Sequence, residues 1–93
     1  MRSLNYLRKY IRRVWRDGDI DYFRVVTPDK FTSNEQYLTD MDYIRFSEIT
    51  NEYIRIGNYQ RTVFINDFRF EDEVISRLEY NLIKEKATEG III

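Results

Sequence analysis

The chain has 93 residues, a net charge of −1, eight tyrosines, six phenylalanines and one tryptophan, and it contains neither cysteine nor histidine. Its length suits one compact domain, and apolar residues spread along the whole sequence favour a folded chain over a disordered one. The lack of cysteine and histidine excludes disulfides, zinc sites of the usual kind, cysteine nucleophiles and Ser-His-Asp catalysis.

The N-terminal segment is strongly basic. Residues 1–16 hold six basic and no acidic side chains, whereas the rest of the chain has a net charge of −7. Because its apolar side chains recur at helical spacing, we predict an amphipathic helix over residues 3–16, within a basic segment 1–18 that Gly18 ends. The apolar stripe consists of Leu4, Leu7, Ile11, Val14 and Trp15.

No stretch of the sequence predicts a membrane segment. The N-terminal segment lacks the unbroken run of about 7–15 apolar residues that a secretory signal requires. No window approaches the roughly 18 apolar residues of a membrane span. We therefore exclude a membrane span and expect a cytoplasmic protein. For the viral origin considered at the end of this section, the compartment would be the host cytoplasm.

The next segment predicts a strand and then a loop. Residues 20–27 are rich in β-branched and aromatic side chains and are closed by Pro28, which is typical of a strand. Within residues 32–40, Thr32 and Glu35 stand at the spacing of a capping box, which predicts one short helical turn in a loop.

Residues 42–66 alternate between apolar and polar side chains, so we predict strands of an antiparallel meander with one apolar face. A first hairpin loop at residues 50–52 would set Phe46 opposite Ile56 and avoid like-charge pairs across the strands. Gly57 and Asn58 predict the second, two-residue turn.

Residues 68–88 have the periodicity of a second amphipathic helix, with acidic residues at its start and lysines at its end, as the helix dipole favours. Its stripe consists of Phe70, Val74, Leu78 and Leu82. The apolar tail, residues 90–93, is expected to dock on the body of the protein or on a neighbouring chain, which allows self-association.

Together these elements predict an α+β fold in the order α-β-(short turn)-β-β-β-α. A sheet of three to four antiparallel strands would be packed on one face by an N-terminal and a C-terminal amphipathic helix. The whole chain, residues 1–93, would be one domain, divided into the basic helix 1–18, the strands 19–67, the helix 68–89 and the tail 90–93.

The tripeptide Tyr-(Leu/Ile/Phe)-Arg occurs five times, and three of its copies fall on predicted strands. If the middle residues point into the core, the tyrosines and arginines share the outer face of the sheet. Tyr and Arg are enriched in interface hot spots, so this face is a candidate interface. An equally simple interpretation is that both residue types tolerate solvent on strands.

The carboxylate groups of the sequence do not form a convincing reactive site. The segment Asp17-Gly18-Asp19-Ile20-Asp21 resembles a calcium loop only faintly, because its glycine is misplaced and Pro28 stands where the bidentate Glu belongs. With no phosphate-binding glycine loop either, we predict that the protein is not an enzyme, and that it has no metal site and no cofactor.

The leading hypothesis is therefore a small interaction protein that binds the surface of a macromolecule. Its cysteine-free composition, rich in tyrosine and isoleucine, favours a phage or mobile-element product that inhibits or redirects a host macromolecule. A protein partner, with an acidic surface, fits best. The alternatives are a nucleic-acid-binding protein that uses the basic helix and a structural subunit of an assembly such as a virion. The candidate partner-binding residues are Arg8, Lys9, Arg12, Arg13, Arg16, Tyr22, Arg24, Tyr43, Arg45, Tyr53 and Arg55.

Overall fold

The computed structural model of the chain describes residues 6–28, 36–58, 60–65 and 67–89. In this part of the chain, six strands form antiparallel pairs within one sheet, a two-residue strand adds to that sheet in parallel, and one short helix lies near the C-terminus. The elements are β1 (Tyr10–Trp15), β2 (Ile20–Pro28), β3 (Gln36–Ser47), β4 (Glu52–Asn58), β5 (Thr62–Phe64), β6 (Phe70–Ile75), α1 (Arg77–Lys86) and β7 (Thr88–Glu89).

The prediction of an N-terminal helix is wrong in the described residues, which begin at Tyr6. A turn over residues 6–9, with Arg8 at a φ of 59°, leads directly into β1. This strand pairs with β2 on one side and with β6 on the other. Burial alternates along the first part of this strand, with Ile11 and Arg13 buried, and its β-branched and aromatic side chains favour a strand once neighbours are present on both sides.

Strands β1 and β2 form a hairpin through residues 16–19. The Trp15 N–H donates to the Asp19 carbonyl oxygen at 2.8 Å. Gly18 has a φ of +101°, which side-chain-bearing residues rarely adopt, and a Cβ placed there would lie 1.6 Å from Oε2 of Glu48. Gly18 therefore belongs to a tight hairpin turn and does not end a helix. The predicted strand at 20–27 is confirmed as β2.

Strand β3 is the centre of the sheet. Its pairing with β2 extends over most of its length. On its other edge, residues 36–38 pair with β5 and residues 42–47 pair with β4. Residues 36–40, predicted as part of a short helical turn, belong to this strand. Residues 32–35 of that prediction lie outside the described part of the chain.

The predicted register of the first hairpin is wrong. Phe46 pairs with Tyr53 and Ser47 with Glu52, so the loop is the four-residue turn 48–51. An even-numbered loop puts Phe46 and Ile56 on opposite faces of the sheet. The predicted turn at Gly57 and Asn58 is also wrong, because β5 continues along β3 and does not fold back on β4.

The predicted long helix over residues 68–88 is a strand followed by a helix. Residues 70–75 form β6, and Ser76 begins α1 as its N-cap by accepting a hydrogen bond from the Glu79 N–H at 3.0 Å. Only the second half of the predicted helix is therefore helical. The predicted apolar tail, residues 90–93, lies outside the described residues.

Both faces of the sheet are covered. On the first, here called the core face, residues from β1, β2, β3 and β5 form one cluster with Tyr6. On the other, here called the helix face, Tyr22, Ile44 and Ile75 pack against Tyr80 and Ile83 of α1. The core-face cluster contains Tyr6, Ile11, Phe23, Val25, Tyr43 and Val63.

The core-face cluster requires a strongly curved sheet, because β1 and β5 are separated by two strands in the sheet order and yet contribute to the same cluster. Arg13 links the two ends of this curve. Its guanidinium donates to both carboxylate oxygens of Asp72 in β6, at 2.7 and 2.8 Å, and to the carbonyl oxygen of Phe64 in β5, at 2.7 Å. Tyr6 donates its hydroxyl hydrogen to the same carboxylate.

The predicted arrangement of two helices on one face of a three- to four-stranded meander is therefore wrong. The described residues contain a larger, curved sheet with a single helix of ten residues on one face. The physical reason is that apolar side chains pack on both faces of the sheet. Residues assigned to the apolar stripes of helices therefore form strands, whose side chains point to one face or the other. In the described residues, no helix is long and apolar enough to cross a membrane.

Candidate protein-interaction surface

Three turns meet at one end of the sheet: residues 16–19, 48–51 and 67–69. The first lies in the middle. It contacts the second through Asp19, whose carboxylate accepts a hydrogen bond from the Glu48 N–H at 3.1 Å. It contacts the third through Arg16, whose N–H donates to the Arg69 carbonyl oxygen at 3.1 Å. We call this surface the turn end.

Each of the outer turns is fixed by local hydrogen bonds. In the turn 48–51, the Asn51 N–H donates to the Ser47 carbonyl oxygen at 2.7 Å, and Asn51 adopts a φ of 58°. In the turn 67–69, the Asp67 carboxylate accepts from the Arg69 N–H at 2.9 Å and pairs with its guanidinium at 2.6 Å. Asn and Asp favour such turns because their side chains bond to nearby main-chain groups.

The middle turn has the same kind of bond, from the Asp19 N–H to the Asp17 carboxylate at 3.0 Å. Side chains presented by these turns are held by their backbone before any partner arrives. Binding through such side chains costs less ordering entropy than binding through a loose loop.

The two outer turns expose large apolar side chains. Ile49 is 95% exposed and Phe68 is 78% exposed, the two highest values among the exposed large hydrophobic residues of the described part. They flank the middle turn on its two sides. Single exposed apolar residues need no explanation. These two are a candidate contact pair because they stand on neighbouring fixed turns at one end of the sheet.

A shallow groove of about 160 Å³ lies beside Phe68. Trp15 and Phe70 meet edge to face in its wall, with ring centroids 5.0 Å apart. The Arg16 guanidinium lies 5.8 Å from the centre of the Phe68 ring. The groove thus offers aromatic side chains and a cation together, the residue types that dominate binding energy in interfaces.

The charges at the turn end are held in a defined state. Hydrogen bonds from the Arg69 guanidinium, together with the Arg69 N–H, lower the pKa of Asp67 to about 2. The same pairing raises the pKa of Arg69. Both groups are therefore ionised at neutral pH and form a local pair in the turn.

The predicted basic arc is dispersed. Arg13 is buried against Asp72, with 2% of its side chain exposed, and Arg12 is half-buried on the helix face at 3.4 Å from Glu73. Arg8 and Lys9 are exposed before β1 begins, whereas Arg16 is exposed after β1 ends. At about 3.3 Å per residue along a strand, these two groups lie about 20–25 Å apart. Of the five basic candidates, the structure places only Arg16 at the turn end.

The predicted Tyr/Arg residues do not share an outer face. Tyr43 and Arg45 lie on the core face, where Asp21 accepts from the Tyr43 hydroxyl at 2.5 Å and from the Arg45 Nε at 2.7 Å. Burial and the nearby Asp21 carboxylate raise the pKa of Tyr43, and the hydrogen bond with Asp21 raises the pKa of Arg45. These two residues support the core.

The other four Tyr/Arg candidates lie on the helix face. Tyr22 is buried there, and burial raises its pKa. Arg24, Tyr53 and Arg55 are half-buried. Arg24 lies 3.9 Å from Asp40, and Arg55 lies 3.8 Å from Asp42.

Sequence reasoning missed Ile49 and Phe68. The sequence interpretation placed Ile49 in a strand and Phe68 at the start of a helix, so neither residue was expected on a turn. The signal was present, because each stands between polar turn residues, in Glu48-Ile49-Thr50-Asn51 and in Asn66-Asp67-Phe68-Arg69. An apolar residue inside a polar turn is a candidate contact residue.

No group of three or more carboxylates able to hold a metal ion occurs in the described residues. Comparison with known proteins adds no functional information, because no family model, no curated protein and no solved structure matches the chain.

Proposed function

We propose that the chain is a small non-enzymatic interaction protein that binds the surface of a macromolecular partner through the turn end. One observation carries this proposal: Ile49 and Phe68, 95% and 78% exposed, stand on turns that are fixed by their own hydrogen bonds. Desolvating such side chains against a partner yields roughly 1.5–3 kcal/mol each.

Two pairs of buried or partly buried charged residues have a structural role. Arg13 with Asp72, and Arg45 with Asp21, are used between strands. At the turn end the exposed cations Arg16 and Arg69 stand beside the exposed acidic residues Asp17 and Glu48, so the charges of this surface do not select an acidic partner. The exposed apolar side chains favour a protein partner with apolar pockets. Inhibition or redirection of a host macromolecule by a phage or mobile-element product is the biological role that we attach to this surface.

Nucleic-acid binding by a basic helix receives less support. Its argument depended on a continuous basic arc, and the structure buries Arg13 and pairs Arg12 with Glu73. A partner bound mainly through phosphates would require several exposed cations on one surface.

The test uses the full chain with an affinity tag and a double variant, Ile49→Ser with Phe68→Ser. The matched control is Leu78→Ser with Leu82→Ser, because these leucines are 70% and 51% exposed on α1, which covers the helix face. Proteins captured from bacterial lysate are identified by mass spectrometry, and the purified partner is then titrated calorimetrically against each variant.

We expect the turn-end variant to bind the identified partner at least about tenfold more weakly, as hot-spot truncations do, and the control to bind like the wild type. The proposal is overturned if the turn-end variant keeps full affinity, if only the control loses it, or if the wild type captures no partner.

A further inference from the structure

Strand β6 is an edge of the sheet. It pairs with β1 on one side, and in the described residues no strand pairs with its other side. The main-chain groups on an unpaired strand edge can accept an additional strand from another chain. The direction of these main-chain groups and the charge of the side chains beside them define which strand would fit.

The pairing of β1 with β6 fixes which amides face outward. The Arg16 N–H donates to the Arg69 carbonyl oxygen, and hydrogen-bonded pairs alternate along an antiparallel ladder. With Trp15 opposite Phe70, the residues that bond to β1 are therefore Glu71, Glu73 and Ile75. The outward N–H and C=O groups are those of Phe70, Asp72 and Val74.

Two of the three exposed side chains of β6, those of Glu71 and Glu73, are acidic, and the third is Val74. Glu71 and Glu73 share the helix-face side of the strand, two residues apart, and both are exposed. Asp72, between them, points to the core face, where Arg13 pairs with its charge. A groove of about 200 Å³ runs beside these carboxylates, lined also by Val14 and by Arg12, whose guanidinium lies 3.4 Å from the Glu73 carboxylate in an exposed ion pair that a bound cation would replace. The edge therefore offers two carboxylates at the spacing of one face of a strand.

A second copy of this chain fits the edge poorly. An antiparallel pairing of two β6 strands centred on Asp72 would set Glu71 opposite Glu73 of the other copy, twice. Like charges directly opposite each other destabilise a sheet. The acidic edge thus disfavours self-pairing and complements a strand that carries basic side chains at alternate positions.

We infer that the outer edge of β6 binds an extended basic segment of another protein by strand addition. Main-chain bonds form to Phe70, Asp72 and Val74, and two lysine or arginine side chains, two residues apart, pair with Glu71 and Glu73. This site does not include Ile49 or Phe68, although Phe70 and Glu71 also line the groove beside Phe68. Asp72 and Val74 lie outside that groove, so their amides distinguish strand addition from binding at the turn end.

The probe is a blocked seven-residue peptide in which lysine alternates with threonine, titrated into the full chain while amide NMR shifts are recorded. We expect shifts at the amides of Phe70, Asp72 and Val74, and binding that weakens as salt rises from about 0.05 to 0.3 M. A peptide with glutamate in place of lysine, and the lysine peptide with alternate amides N-methylated, are the peptide controls.

Two protein variants separate the two sources of affinity. The double variant Glu71→Lys with Glu73→Lys should reverse the preference from the lysine to the glutamate peptide, whereas Glu52→Lys with Glu85→Lys, the same charge change at other exposed sites, should not. Val74→Pro removes an outward N–H without removing a bond to β1, and should weaken binding about tenfold or more.

Strand addition is overturned if the lysine peptide does not bind at about 1 mM in low salt. It is also overturned if the N-methylated peptide binds equally well, since contact would then be electrostatic adsorption, or if the shifts map to residues other than β6. In those cases the acidic residues only protect the edge from pairing.

Discussion

At the scale of single residues, we expect the buried ion pair to matter more for the stability of the fold than the exposed one. Arg13 and Arg12 are neighbours in β1 and both pair with β6, yet the side chains of Arg13 and Asp72 are 2% and 3% exposed, against 32% and 61% for Arg12 and Glu73. A buried charge without its partner is far more costly than an exposed one.

We therefore expect Arg13→Met to lower the free energy of unfolding by about 3–5 kcal/mol, because it leaves Asp72 buried without its cation. The neighbouring control, Arg12→Met, should cost less than about 1 kcal/mol. Urea denaturation followed by tryptophan fluorescence measures both.

The double variant Arg13→Met with Asp72→Leu tests the reason for this loss, since it removes both charges and should recover most of the stability. Equal losses for Arg13→Met and Arg12→Met would contradict the assigned role of burial.

At the scale of elements, the sequence signal for the start of α1 lies within a few residues of it, whereas the strands depend on pairing with distant segments of the chain. Ser76 and Glu79 stand at the spacing of a capping box, and the Glu79 N–H donates to the Ser76 hydroxyl at the observed helix start, which we predicted at residue 68. A periodicity reading across this boundary merged β6 with α1, because Val74 and Leu78 satisfy the helical spacing although they belong to two elements.

A helix of ten residues is marginal by itself, so its cap contributes measurably to the whole fold. We expect Ser76→Ala to lower the free energy of unfolding by about 0.5–2 kcal/mol, and Ser76→Asp to restore most of it. Urea denaturation at neutral pH is the measurement. A Ser76→Ala protein as stable as the wild type would show that packing of Tyr80 and Ile83 alone holds the helix.

Strand β1 shows why pattern alone was insufficient. Ile11, Val14 and Trp15 fit a helical stripe, but the same segment also alternates as Ile11, Arg13 and Trp15 on the core face. The second pattern includes a buried arginine, Arg13, whose charge is paired with Asp72, 59 residues away in sequence. A pattern of apolar residues cannot identify a buried charge of this kind. Strand β2, with neighbouring strands on both sides, was correctly predicted from its β-branched and aromatic composition.

At the scale of the whole molecule, the sheet is covered on both faces, and the aromatic residues supply both layers. The sequence interpretation assumed one solvent-exposed face and assigned Tyr22, Tyr43 and Tyr53 to it. In the structure, Tyr22 and Tyr80 pack on the helix face, whereas Tyr6 and Tyr43 pack on the core face. The turn end could not be predicted because it depends on which turns the curved sheet brings together.

Burial raises the pKa of each of these four tyrosines above its ordinary value. In the unfolded chain they ionise near pH 10, so the unfolded state binds fewer protons than the native state above that pH. Their contribution to stability is fully present below pH 10 and is lost as pH rises from 10 through the raised native values.

We therefore expect the urea concentration at the unfolding midpoint to decrease as the pH is raised from about 9.5 to 11.5. Absorbance near 295 nm should detect fewer than the eight tyrosines ionising before the protein unfolds. Tyr43→Phe should give a shallower fall, because one group no longer ionises in the unfolded chain. Ionisation of all eight near pH 10 in the native protein would contradict the burial of these hydroxyls.

The hydrogen bonds of Arg13 also have a consequence for the rates of folding and unfolding. It joins β1 to Phe64 and Asp72, which are 51 and 59 residues away in sequence, so its bonds form only after the chain has closed long loops. We expect these bonds to form after the rate-limiting step of folding, in which case their loss acts on the unfolding rate. Arg13 is thus expected to have little influence on how fast the native state is reached and a large influence on how long it lasts.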